Sequence, residues 1–181
     1  MRNFIRSFFK IAPLFATLLV VLLLNCNGDK ETIPFETDER GYFYTFDLGR
    51  AQEEIVFDIV LPEYLPPDIG KCPHIQGPLQ GTVLPDEIQI NINYLTQDDD
   101  HKGIIKINEC SYPCVQPAPE LNEGYEYIEI RGVRIVKGEH FVDGQVFTFG
   151  WNQNNTYFIV AIYDYSYEQA LRIVESMIRQ D

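Results

Sequence analysis

The chain has 181 residues, with 14 Lys+Arg against 27 Asp+Glu and a formal net charge of −13. An acidic balance of this size repels phosphate backbones, which excludes nucleic acid as a partner. Hydrophobic residues make up 45% and aromatic residues 13%, enough apolar surface for one packed domain, so a wholly disordered chain is excluded as well.

Residues 1 to 25 carry Arg2, Arg6 and Lys10 as their only charges, and an apolar run from Ile11 to Leu24 follows, broken by Pro13 and Thr17. A basic segment followed by an apolar one is the layout of a secretory signal peptide. The run is short of the about 20 residues that a helix needs to cross ~30 Å of hydrocarbon. It closes on Leu22-Leu23-Leu24-Asn25-Cys26. This order resembles a bacterial lipoprotein signal, in which the cysteine is acylated and becomes the first mature residue. Leu23 stands where such signals carry their leucine, whereas Asn25 replaces their usual small residue. The resemblance implies a fatty acid such as palmitate on Cys26. It also implies a lipid anchor in the cell membrane and a body facing the extracytoplasmic side. An uncleaved anchor lengthened by Phe4 to Phe9, or cleavage with release, are the alternatives. All three export the body.

Residues 26–40 are polar and without periodicity, and they read as a flexible tether to a single domain over 41–181. From Gly41 onward apolar residues alternate, which is the pattern of half-buried strands. Tyr42, Tyr44 and Phe46 share one face, and Ile55, Phe57 and Ile59 form the next run. Ile88, Ile90, Ile92 and Tyr94 alternate with Gln89, Asn91 and Asn93. Strands are also predicted at Gly103 to Asn108, Tyr125 to Ile130, Val133 to Val136, Gln145 to Trp151 and Tyr157 to Tyr163. The short turns between several of these favour antiparallel pairing. Leu61 to Pro67 holds three prolines and reads as an extended or turn segment. Gly70 to Pro85 and Cys110 to Gly124 read as the two long loops.

The period changes at the C-terminus. Ser166 and Gln169 form a capping box, and Tyr167, Ala170, Leu171, Val174 and Ile178 make an apolar stripe at helical spacing. The expected architecture is α+β: an antiparallel meander of about six to eight strands, covered on one face by a C-terminal amphipathic helix.

The Leu61-Pro62-Glu63-Tyr64-Leu65-Pro66-Pro67 segment, the strand ending at Tyr94, Gly132, the strand reaching Trp151 and the strand from Tyr157 to Ile162 come in a familiar order. They lead into the helix Ser166 to Ser176. Together they resemble the bacterial domain of unknown function family 4367, most strongly over 145–177. Members are commonly exported lipoproteins or proteins associated with anti-sigma factors. The resemblance implies an envelope sensing role and transfers no catalytic residue.

Chemistry-bearing residues are few. Cys72, Cys110 and Cys114 are disulfide candidates in an oxidising compartment. A bridge from Cys72 to either of the others closes a loop of about 40 residues, a stabilisation of roughly 3–4 kcal/mol in the chain-entropy model. A local Cys110–Cys114 bridge bent at Pro113, or free thiols, are the alternatives. The competing reading joins them with His74 as four tetrahedral zinc ligands. The Asp98-Asp99-Asp100-His101 run lacks the spacing of a calcium loop and reads as a solvated turn. Glu139 and His140 are strand neighbours that face opposite sides and make no acid–base pair. No nucleophile elbow, phosphate loop or zinc-protease helix is present in the sequence.

The expectation is therefore a non-catalytic, membrane-tethered extracytoplasmic module with a protein-interaction or sensing role, needing no cofactor. A carrier or sensor holding an apolar ligand between sheet and helix is the alternative. A metal or redox protein using Cys72, Cys110 and Cys114 comes third.

Overall fold

Alternating sequence builds most of this chain, and in the computed structural model it forms one antiparallel sheet of nine strands. Residues 35–84, 87–96, 104–111, 124–141 and 144–179 are described; the expected signal peptide 1–25, Cys26, Cys114 and the Asp98–His101 run lie outside them. In chain order the strands are β1 (Phe35–Thr37), β2 (Tyr42–Thr45), β3 (His74–Pro78), β4 (Gln89–Leu95) and β5 (Ile104–Ser111). Then come β6 (Tyr125–Ile130), β7 (Val133–Phe141), β8 (Gln145–Gln153) and β9 (Thr156–Tyr163). Among the described residues two helices are added, α1 (Leu48–Glu54) and α2 (Tyr167–Met177).

The spatial order is β1-β2-β3-β4-β5-β9-β8-β7-β6. Two meanders, β1 to β5 and β6 to β9, are thus joined where β9 lies against β5, from Ile104↔Tyr163 to Ser111↔Thr156. Tight turns fix the register of the second meander. Arg131 and Gly132 (φ 50° and 80°) join β6 to β7, and Asn154 and Asn155 (φ 52° and 61°) join β8 to β9. Two consecutive residues at positive φ give the turn hand that matches strand twist.

One face carries the core. Its rows run Ile75, Ile92, Ile107, Val160 and Phe149, and alongside them Tyr94, Ile105, Ile162 and Phe147. Every one of these side chains is buried. α2 starts at the expected capping box, with Ser166 Oγ accepting from the Gln169 amide at 3.3 Å. Its buried residues are Ala170, Ile173, Val174 and Met177, with Ile178 just beyond. The stripe is therefore rotated from the one expected: Leu171 is half-buried and Tyr167 is exposed, its ring against Phe147 and under the Lys137 ammonium.

The sheet has nine strands where about six to eight were expected, and four further expectations are corrected. Residues 35–37 are no tether, because β1 pairs with β2 and Phe35 stacks on Phe43 at 5.5 Å. Ile55, Phe57 and Ile59 form no strand. Their backbone is held instead by the Gln52 side-chain amide, which donates to Ile55 O and Phe57 O and accepts from Ile59 N. That satisfies main-chain groups a neighbouring strand would otherwise take. Gly70 to Pro85 contains β3, where Gly77 leaves room for the Phe43 ring and Ile90, atoms that a Cβ there would meet at 2.9–3.0 Å. Finally, cover of the core face is shared. α1 lies by β2 and β3 with Ala51 buried, α2 lies by β8, and Leu61 to Pro67 runs beside α2. There the Tyr64 amide donates to Ser176 Oγ and Arg172 stacks on the Tyr64 ring at 4.0 Å.

Candidate functional site

The space between α2 and the sheet is filled by side chains. Ile173, Val174, Phe149, Val160 and Ile162 are between 0% and 1% exposed. Space opens instead at the sheet end, in a cleft of about 390 Å³. Val56, Phe57, Val60 and Phe158 give it apolar walls, and Asn154, Asn155 and Arg179 edge it. Arg179 is tied down there, with its guanidinium 3.1 Å from Asp58 and its carbonyl accepting from Gln153 Nε2. Both partners of that ion pair are largely exposed, which makes it a weak contributor to stability.

Behind the cleft sits an acid in the core. Glu109 continues the Ile105, Ile107 phase of β5 and is fully buried. Its two carboxylate oxygens accept from the Val60 amide at 3.1 and 3.2 Å. Burial pushes the carboxyl up to about 8, against the Val60 hydrogen bond and the Arg179 charge, which pull it down. The alternation that identified the strand carries the signal for this residue: an acid at an apolar phase.

The opposite sheet face divides in two. Over β7 to β9 it is closed by rings. Tyr125 lies over Gly138 and the Tyr157 hydroxyl over Gly150, with Cys110 and Tyr157 each 2% exposed. Over β3 to β5 it carries amides: Gln76, Asn91 and Asn108 in one cross-strand row, Asn93 and Lys106 in the next. Asn108 Nδ2 donates to Asn91 Oδ1 at 2.8 Å, and Gln76 Nε2 donates to Tyr44 OH at 3.3 Å. His74 stacks on Tyr44 (6.1 Å, 19°) and meets Phe46 at 5.3 Å. Burial lowers the His74 pKa, and Glu36 opposes that shift. Gln89 and Lys106 are exposed, and the other amides are half-buried.

Neither Cys72 nor Cys110 is a free thiol. They are not partners of each other. Cys72 precedes β3 at the level of Leu95, whereas Cys110 is opposite Gln89, about 20 Å away along the strands at ~3.3 Å per residue. A disulfide needs Cα atoms within about 7 Å, so the Cys72–Cys110 bridge is corrected. Cys114 lies outside the described residues. The zinc reading is corrected on the same ground. His74 is level with Asn93 and Lys106, four residues from Cys110, and so cannot share an ion with it. Among the described residues no cluster of three metal-ligating side chains occurs. Glu139 and His140 part as expected: Glu139 accepts from Gln145 Nε2, and His140 packs on the edge of Tyr125.

No family model, curated protein or solved structure matches this chain. The resemblance to family 4367 therefore rests on the quoted residues alone.

Proposed function

We propose that this chain is a non-catalytic module of the cell envelope, tethered through a lipid on Cys26, with its extracytoplasmic domain serving an interaction or sensing role. The observation that carries this reading is the division of labour between the two sheet faces. Apart from the cleft at its Phe158 end, the apolar face is covered by α1, α2 and the segments beside them, which supports a rigid scaffold rather than a ligand chamber between helix and sheet. The other face presents unspent hydrogen-bonding groups on β3 to β5, and surfaces of that kind serve recognition. The carrier reading finds less support, since side chains occupy the volume between helix and sheet.

The tether is tested by metabolic labelling with a palmitate analogue. The parent chain is expected to take label and mature, and Cys26→Ser to lose both. Asn25→Gly is expected to mature faster than the parent. Equal labelling of Cys26→Ser and parent would contradict the lipid anchor.

A further inference from the structure

We infer that the open face across β3, β4 and β5 binds an uncharged polysaccharide chain. The inference rests on the recognition-module reading and names its partner.

Strand chemistry gives the first argument. Asn is depleted in strands because its amide competes with the backbone for hydrogen bonds. Yet Asn91, Asn93 and Asn108 occupy adjoining positions on β4 and β5, flanked by Gln76 and Gln89. A local preference broken repeatedly in the middle of a sheet marks a functional surface.

Charge gives the second. The chain has 27 acidic residues, but this face of β3 to β5 carries none. The nearest acids, Glu36 and Asp38, stand beyond the Tyr44 end of the row, where Asp38 accepts from the Tyr44 hydroxyl at 3.2 Å. The acid of β5, Glu109, points into the core. The face's one cation is Lys106, lying over the Tyr163 ring at 5.1 Å. A cationic partner is matched by acids and an anionic one by several cations. A neutral face is complementary to a neutral, hydrogen-bonding partner.

Geometry gives the third. Tyr44, Gln76, Asn91 and Asn108 form one row over four strands, about 14 Å long at ~4.8 Å per strand. That length suits an oligosaccharide stretch. The Asn91–Asn108 and Gln76–Tyr44 bonds fix the amides in place and leave further donors and acceptors on each. The Asn93 and Gln89 side chains make no hydrogen bond among the described residues. Sugar hydroxyls both donate and accept, as amides do. Sugar C–H faces pack on rings, and Tyr44, His74 and Phe46 form a ring shelf at one end of the row. A protein partner would instead need buried apolar anchors at the centre of its footprint. The exposed large apolar residue on this face, Leu95, stands at its margin.

The test is isothermal titration calorimetry on the full chain in lauryldimethylamine oxide, a detergent without a sugar headgroup. The probes are maltohexaose, cellohexaose and N-acetylchitohexaose, with oligogalacturonate as the charged comparison. Saturable binding of at least one neutral probe is expected. It should weaken about tenfold or more in Tyr44→Ala and in the double variant Asn91→Ala, Asn108→Ala, the latter accepted only with unchanged circular dichroism. Asn93→Asp, which keeps shape and adds one charge, should weaken it too, and Arg131→Ala on the far side should not. Absence of saturable binding to all three neutral probes would overturn the inference. So would equal binding of oligogalacturonate, survival of binding in these variants, or a sedimentation shift showing that the same residues hold a second copy of the chain. Failure here leaves the palmitate labelling of Cys26 untouched, so the tethered-module reading stands or falls separately.

Discussion

Ile173→Ala is expected to cost about 2–5 kcal/mol of unfolding free energy, a large share of the 5–15 kcal/mol typical of a domain. Ile173 is fully buried on α2 beside Val174, where the helix meets the sheet, and its loss leaves a cavity the surrounding strands cannot close. Leu171→Ala should cost clearly less, because Leu171 is half-buried and neighbouring atoms or water can fill the gap. Arg172→Ala removes the stacking on Tyr64 and should cost under about 1 kcal/mol. Urea unfolding of the three variants checks the order. Equal losses at Ile173 and Leu171 would contradict the helix orientation.

The second large effect is a pH dependence centred on Glu109. Its carboxyl holds a proton up to about 8 in the fold, against an ordinary value of 4.5. Between those values the folded state binds more protons than the unfolded state, so this group makes stability fall as pH rises. Its contribution is fully present below about pH 4.5 and is lost by about pH 8, at up to roughly 1.4 kcal/mol per pH unit across the window. Glu109→Gln keeps an acceptor for the Val60 amide and cannot titrate. Its urea midpoint should change far less between pH 5 and pH 8 than that of the parent, and the variant should be the more stable protein at pH 8. Parallel pH profiles for the two chains would contradict a neutral buried Glu109.

Much of the sheet was legible because alternation is a direct record of a half-buried strand. β6 matches its predicted bounds, and β4, β8 and β9 lie within two residues of theirs. Where main-chain groups are satisfied by a side chain instead of a strand, alternation misleads: Ile55, Phe57 and Ile59 alternate well, yet Gln52 takes their backbone. Where a glycine is a packing necessity, composition misleads: Gly77 looks like a loop residue but admits Phe43 and Ile90. α1 escaped because it buries only Ala51 and so shows no stripe. Of the candidate site, the outward phase of Gln89, Asn91 and Asn93 was readable. Their union with Gln76, Asn108 and Tyr44 was not, because strand neighbours are set by long-range pairing. The cysteines show the converse. Their residue types suggested a cluster, and the register of β3, β4 and β5 separates Cys72 from Cys110.

The claim that recognition belongs to the open face is tested most directly in living cells. A photoreactive phenylalanine analogue is placed at Lys106 on that face, or at Glu175 on the exposed side of α2, in the full chain. Irradiation is expected to give heavier adducts from position 106 and few from position 175. Adducts from position 175 with none from position 106 would contradict the account.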